Sequence, residues 1–247
     1  MVTWTGDNSF EIGDVEFVCT PMLQGGFRSE PGRFCLVKPR SAVEAYEQLL
    51  GDREPRVIVE VGTYDGASVA LFAEIARPDK LIGIDLRAIR SVALDDFIAR
   101  RGLGGVVSAH YGVDQGDAAR LAEIVDAELA GRPIDLVIDD ASHLLELTRR
   151  TFNTLFPLVR PGGAYVIEDW WWAHATAAES ILPDEIPMTV LVFELVMACA
   201  AAPGIISRVT ADHDWVIVER GNATIDPESF DLSACYGPRG RALVNDL

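Results

Sequence analysis

Apolar residues in this chain fall in short runs, separated by longer stretches with helical periodicity. Residues 56–61 are β-branched and apolar and predict a buried strand, and residues 66–76 predict the helix after it. The alternation then repeats. Strands are predicted at 81–84, 106–110, 134–138 and 164–167, and helices at 91–101, 117–130 and 143–159. Gly131 is a helix stop signal, and Pro161-Gly162-Gly163 reads as a turn. A long apolar helix is predicted over 186–202. Two late runs, 205–209 and 215–218, flank a polar turn containing Asp212, His213 and Asp214 and read as a hairpin. Upstream, residues 41–50 predict a helix, with Ser41 as its cap and Glu44 at the capping-box offset. Residues 1–40 are mixed, with turns at Gly25-Gly26 and Pro31-Gly32, and read as an irregular extension ahead of a domain spanning 41–247.

Strands that alternate with helices imply a mostly parallel sheet with helices on both faces. Strands that are apolar throughout say that both faces are covered. The hairpin brings the count to seven strands and makes one of them antiparallel. The expected class is therefore α/β. In such folds ligands bind outside the carboxyl ends of the strands, so the residues just after each strand carry the chemistry.

A chain of 247 residues fits one large domain of this kind, and 49% hydrophobic with 24% charged residues is an ordinary globular balance. The formal net charge of -17 repels phosphate backbones and anionic membranes, so neither nucleic acid nor lipid is an expected partner. That acidity either serves solubility alone or includes a carboxylate cluster that a metal neutralises. Cys19, Cys35, Cys199 and Cys235 are far apart, with no CxxC pair, which argues against a thiolate zinc site and fits a reducing cytoplasm. The N-terminal residues lack the basic and apolar regions of a signal peptide. Residues 190–202 contain Glu194 and are too few to span a bilayer.

The strand at 56–61 runs into Glu60-Val61-Gly62-Thr63-Tyr64-Asp65-Gly66-Ala67-Ser68, and the next strand ends at Asp85. Glycines let the backbone turn tightly and approach a ligand. A carboxylate about twenty residues on is placed to hold a ribose diol. A pyrophosphate cofactor would want GxGxxG, which is absent, and Glu60 would repel it. A cationic, ammonium-bearing nucleoside fits better than NAD.

Two further strand ends are acidic: Asp139-Asp140-Ala141-Ser142-His143 and Glu168-Asp169-Trp170-Trp171-Trp172. Four clustered carboxylates need a cation or protons to neutralise them. All-oxygen ligation suits Mg²⁺, Mn²⁺ or Ca²⁺. The alternative is that one or two of these acids merely cap the following helix.

With E-x-G-x-x-x-G after the first strand and an acid after the second, the chain resembles the class I S-adenosylmethionine (SAM)-dependent methyltransferases over roughly residues 56–220. The resemblance implies their Rossmann-like fold. It implies that Glu60, Gly62, Tyr64, Gly66 and Ser68 surround the methionine part of SAM and that Asp85 holds the ribose. Asp114 would lie on the adenine side, or it is simply a turn residue. The spacing of Asp140 and His143 resembles that of the metal-binding Asp and the basic Lys of the catechol O-methyltransferases. D-D-x-x-H followed by E-D is similar to the metal-dependent macrolide-sugar and rhamnosyl O-methyltransferases and to the cephalosporin hydroxylase family. The resemblance thus assigns Asp140, Glu168 and Asp169 to metal and His143 to general base, an imidazole being poised for that near neutral pH. Asp139 would touch the cofactor or support the ligands from behind.

The implied reaction is metal-dependent methylation of one hydroxyl of a vicinal diol, on a deoxysugar of a natural product or nucleotide sugar. A catechol would satisfy the same chelation chemistry, and a methyltransferase-fold hydroxylase partner or binding module is the reading from another class. The tryptophans at 170–172 would stack on an acceptor, or pack a lid and an oligomer interface. Residues 24–34 are a second candidate lid. A homo-oligomer is expected, built on the apolar helix at 190–202.

Overall fold

The computed structural model describes residues 2–20, 28–174 and 186–245. The chain divides into two compact units, Met1–Val113 and Asp114–Leu247. The first unit opens with a small sheet of β1 (Thr3–Trp4), β2 (Ser9–Ile12), β3 (Val15–Cys19) and β4 (Arg33–Leu36). It continues with α1 (Arg40–Arg53), β5 (Val57–Val61), α2 (Ala67–Ala76), β6 (Lys80–Asp85), α3 (Val92–Arg101) and β7 (Val107–Tyr111). The second unit holds α4 (Ala118–Leu129), β8 (Ile134–Asp139), α5 (Leu145–Leu155), β9 (Val159–Glu168), α6 (Thr189–Ala201), β10 (Ile206–Ala211), β11 (Trp215–Arg220) and α7 (Pro238–Asn245).

The strand order β10-β11-β9-β8-β5-β6-β7 makes the expected seven-stranded, mostly parallel sheet, flanked by helices. The antiparallel member is β11, which pairs with both β9 and β10. Every residue of β5 is buried, its four Val and Ile residues and Glu60 alike. Each such Val or Ile contributes about 1.5–3 kcal/mol by leaving water.

The N-terminal segment is not irregular. β2 and β3 alternate buried and exposed positions, which turns Phe10, Ile12, Val15, Phe17 and Cys19 to one side. Phe10 stacks on Phe17 and Phe17 on Phe34, and Phe34 meets Phe97 of α3 edge-on at 5.7 Å. The period of two is carried by strands of only four or five residues, so turn-forming residues dominate the pattern. Of the candidate lid at 24–34, residues 24–27 lie outside the described residues. In the remainder, the Ser29 N–H donates to Asp65 Oδ2 at 2.8 Å.

Three boundaries also shift. α1 starts at Arg40 with Pro39 as N-cap and no side-chain cap, so Ser41 and Glu44 form no capping box. Pro161-Gly162-Gly163 lies inside β9, where the register against β8 shifts between Ile134 and Leu136. A side chain at Gly163 would come within 2.8 Å of the Asp135 carbonyl oxygen, so this bulge requires glycine. The helix expected from 143 begins at Leu145 and gives way at Phe156 to a short 3-10 turn.

α6 carries one acidic residue, Glu194, and buries it to 2% exposure. Arg149 of α5 donates to its carboxylate through Nε at 2.9 Å and Nη2 at 2.6 Å, and the Tyr236 hydroxyl donates at 2.5 Å. Removing one partner of such a group leaves the others buried without their acceptor. Glu194→Ala is therefore expected to lower stability by about 3 kcal/mol, and Glu194→Gln by clearly less. Urea denaturation midpoints read both.

Candidate active site

In the first unit, β5 ends at Val61 and the chain turns into α2 through Gly62 (φ 95°), Tyr64 (φ 47°) and Gly66 (φ 80°). The Gly62 N–H donates to the Ile84 carbonyl and the Gly66 N–H to the Thr63 carbonyl, both at 2.8 Å. Asp85, the last residue of β6, braces this turn. Its Oδ2 accepts from the Tyr64 N–H at 2.5 Å and its Oδ1 from the Arg87 N–H at 2.7 Å. The Arg87 guanidinium lies over the Tyr64 ring at 4.4 Å. A carboxylate offers about four lone-pair sites, so Asp85 retains capacity to accept from a diol. Glu60 is fully buried in β5, opposite Gly83, and Ser68 is buried in the first turn of α2. A buried carboxylate, a glycine-lined turn and a second acid with spare acceptors fit a nucleoside with a cationic amino-acid tail.

In the second unit, Asp140, His143 and Asp169 each bring one ligand atom to within 4.8 Å of the others. His143 Nε2 is 3.9 Å from Asp140 Oδ1 and 4.0 Å from Asp169 Oδ2. This is not a helix face. His143 is left-handed (φ 56°) and precedes α5, so a loop rather than an i,i+3 helical step brings it back to Asp140. Asp169 is also left-handed (φ 53°). Ions of the Mg²⁺ type hold ligands at about 2.1 Å, which sets neighbouring ligand atoms about 3–4 Å apart. The carboxylate oxygens of Asp140 and Asp169 lie within 4.8 Å of each other, and anionic donors of this kind suit a hard cation. Glu168, at the end of β9, is buried to 7% and is not in this group of three.

Asp139 closes β8 at 2% exposure. The Tyr165 hydroxyl donates to its Oδ2 at 2.7 Å, and Gln115 Nε2 stands 3.5 Å from Oδ1. Burial pushes the carboxyl up to about 7, against the opposing effect of the Tyr165 hydrogen bond. Gln115 also donates to Thr151 Oγ1 at 3.0 Å, while its Oε1 accepts from the Ser142 N–H at 2.8 Å. It thus holds the loop that carries Asp140 and His143. Asp114 is exposed, and its Oδ1 accepts from the Gly116 N–H at 2.8 Å, which is the turn role. Sequence reasoning missed Gln115, although it adjoins Asp114 in a strand-end turn. It also missed Tyr165, which only the β8–β9 pairing of Val137 with Tyr165 reveals.

Each tryptophan of the loop after β9 has its own partner. Trp170 Nε1 donates to the Asp212 carbonyl at 2.9 Å, Trp171 stacks on His213 at 4.7 Å, and Trp172 lies 4.3 Å from the His143 ring.

Residues 59–170 match the protein family described as a methyltransferase domain. Over those residues the chain is similar to a methyltransferase domain. Demethylmacrocin O-methyltransferase of Streptomyces fradiae is 54% identical over 63 residues, 25% of this chain and 15% of that protein. The 8-demethyl-8-alpha-L-rhamnosyl tetracenomycin-C 2'-O-methyltransferase of Streptomyces olivaceus is 33% identical over 151 residues, 57% of this chain and 36% of that protein. Among solved structures, the MycE methyltransferase of mycinamycin biosynthesis, in complex with Mg, SAH and mycinamycin VI, superposes with a TM-score of 0.56 at 26% identity. That match covers 72% of this chain and 49% of MycE. The chain thus spans half or less of the length of these relatives.

The turn after β5 gives a direct test. A Cβ on Gly66 would lie 2.7 Å from Leu94 Cδ2, in a left-handed backbone. Gly66→Ala should lower stability by about 2 kcal/mol or more, combining the left-handed penalty with overpacking. Thermal and urea unfolding measure it.

Proposed function

We propose that this protein transfers a methyl group from SAM to one hydroxyl of a vicinal diol, on a deoxysugar of a natural product or nucleotide sugar. The observation that carries the reading is the Asp140–His143–Asp169 group in a chain similar over residues 59–170 to a methyltransferase domain. The names of the relatives support the acceptor class: demethylmacrocin, rhamnosyl tetracenomycin-C and mycinamycin VI. A cytoplasmic location is part of the same reading. No helix among the described residues is long and apolar enough to cross a membrane.

In this reading Glu60 faces the cofactor's ammonium group, the turn at Gly62, Tyr64, Gly66 and Ser68 encloses its methionine part, and Asp85 accepts from its ribose. Asp114 has the weaker claim, to the adenine side. Asp140 and Asp169 hold a divalent cation, Mg²⁺ before Mn²⁺ or Ca²⁺, and Glu168 joins them by its place beside Asp169. When bound, SAM supplies the methyl group and the cation lowers the pKa of a chelated hydroxyl. His143 takes the proton from that hydroxyl at its ring nitrogen. Asp139, with Tyr165 and Gln115, keeps the Asp140 loop in place. Trp172 beside His143 offers an aromatic face that suits a sugar ring. Because the reaction joins two substrates, the protein contributes mainly by holding them in line.

Homo-oligomerisation also belongs to the proposal. Phe193 and Val196 lie one turn apart on α6, each 49% exposed. The helix's one charged residue points inward to Arg149, so its outer stripe is free of charge.

The test uses the purified chain with SAM and a rhamnosylated polyketide bearing a free vicinal diol. Methyl transfer should cease with EDTA and return with Mg²⁺. His143→Ala should lower kcat by about 100-fold or more while the Kd for SAM by calorimetry stays unchanged. Full activity in EDTA would remove the metal from the mechanism. An unchanged rate in His143→Ala would remove the base. Tight binding of NAD in place of SAM would overturn the reading as a whole.

A further inference from the structure

Asp169 keeps a left-handed backbone (φ 53°) that a non-glycine residue adopts only when its surroundings over-determine it. Part of those surroundings is the turn of residues 212–214 that joins β10 to β11. The Asp169 N–H donates to the Asp214 carbonyl at 3.1 Å. The next residue, Trp170, donates through Nε1 to the Asp212 carbonyl at 2.9 Å. The one after, Trp171, stacks its ring on His213, at an interplanar angle of 27°. Three consecutive residues of the β9 loop thus lean on three consecutive residues of the hairpin turn.

The turn is itself fixed by one side chain. Asp212 Oδ1 accepts from the backbone N–H groups of Asp214 at 2.9 Å and Trp215 at 3.1 Å, and Oδ2 accepts from Trp215 Nε1 at 2.9 Å. The Asp212 N–H closes the hairpin on the Trp215 carbonyl at 3.1 Å. An ordinary exposed turn would not need its aspartate for anything beyond the turn. Here the carbonyls that this carboxylate orients are the ones that hold Asp169 and Trp170.

We propose that Asp212 is a positioning residue for the metal group. Its carboxylate sets the turn at 212–214, and the turn sets the backbone of Asp169, hence where the Asp169 carboxylate stands against Asp140 and His143. The proposal rests on the metal reading given under Proposed function. It requires no contact between Asp212 and the cation. It predicts that metal affinity depends on a hydrogen-bond acceptor at position 212, whereas SAM affinity, which belongs to the turn after β5, does not.

Binding of Mn²⁺ to the whole chain, followed by the loss of the free-ion paramagnetic resonance signal, tests this without assaying activity. Asp212→Ala should weaken Mn²⁺ binding about tenfold, the range seen when groups behind metal ligands are removed, and leave the calorimetric Kd for SAM within about twofold of the parent. Asp212→Asn keeps an oxygen for the two backbone N–H groups and should restore most of the affinity. Trp170→Phe removes only the indole donor and should weaken Mn²⁺ binding in the same direction by less, which secures a result if Asp212→Ala does not fold. The stability control is Asp117→Ala, which removes the N-cap of α4 (its carboxylate accepts from the Arg120 N–H at 3.0 Å) and should lower the Tm with Mn²⁺ binding unaltered. A lowered Tm with parental Mn²⁺ affinity in Asp212→Ala, or in Trp170→Phe should the alanine variant not fold, would overturn the positioning role. Failure of the parent chain to bind Mn²⁺ would instead overturn the metal reading, and this inference with it.

Discussion

Carboxylates at the ends of buried strands govern this molecule. Placing an ionised group where solvent is scarce costs free energy unless hydrogen bonds or opposite charge replace the lost water. The chain meets that demand in different ways. Asp85 takes two backbone N–H groups from the turn it braces. Asp139 takes the Tyr165 hydroxyl and still has its carboxyl pushed up to about 7 by burial. Glu194, far from any strand end, takes a guanidinium and a phenol. Asp140 and Asp169 face a shared imidazole at about 4 Å, outside hydrogen-bond range. The Asp140, His143 and Asp169 side chains are the ones gathered closely enough to share a cation.

Backbone strain points to the same places. Six non-glycine residues among those described have positive φ. Glu54, Arg77 and Ala130 are helix C-caps, where a left-handed residue closes the last turn. The other three are Tyr64, His143 and Asp169, each just beyond the end of a strand and none of them a cap. For a bulky residue such as tyrosine this conformation is a genuine outlier. It persists because Asp85 and Arg87 hold Tyr64 from both sides, as the 212–214 turn holds Asp169.

Much of this was legible in the sequence because burial on both faces writes strands as plain apolar runs. β5, β6, β8 and the second half of β9 could be placed that way, and with them the strand ends that carry Glu60, Asp85, Asp140 and Asp169. What was not legible depends on pairing between distant segments. The Pro-Gly-Gly in β9 reads locally as a turn, and only its partner β8 makes it a bulge. His143 stands next to a helical pattern, and its left-handed φ leaves no trace in residue type. Tyr165 reaches Asp139 by register, and Asp212 reaches Asp169 through a hairpin more than forty residues away. The N-terminal sheet was missed for a different reason. Its strands are too short for a period of two to stand out among turn residues, and its aromatic column is completed by Phe97, which lies outside the segment.

The overall acidity gives the grouped carboxylates a further meaning. At an effective dielectric of about 20, two carboxylate charges within 4.8 Å of each other repel by about 3.5 kcal/mol or more. A chain of net charge -17 offers little long-range compensation for that. Salt screens exposed pairs, but these groups are partly enclosed, with side-chain exposures of 20% for Asp140 and 33% for Asp169, so screening relieves them less. Two remedies exist within the group. Protonated His143 could neutralise one charge, but an imidazolium cannot accept a proton from an acceptor hydroxyl. A divalent cation, held as proposed, would balance both charges.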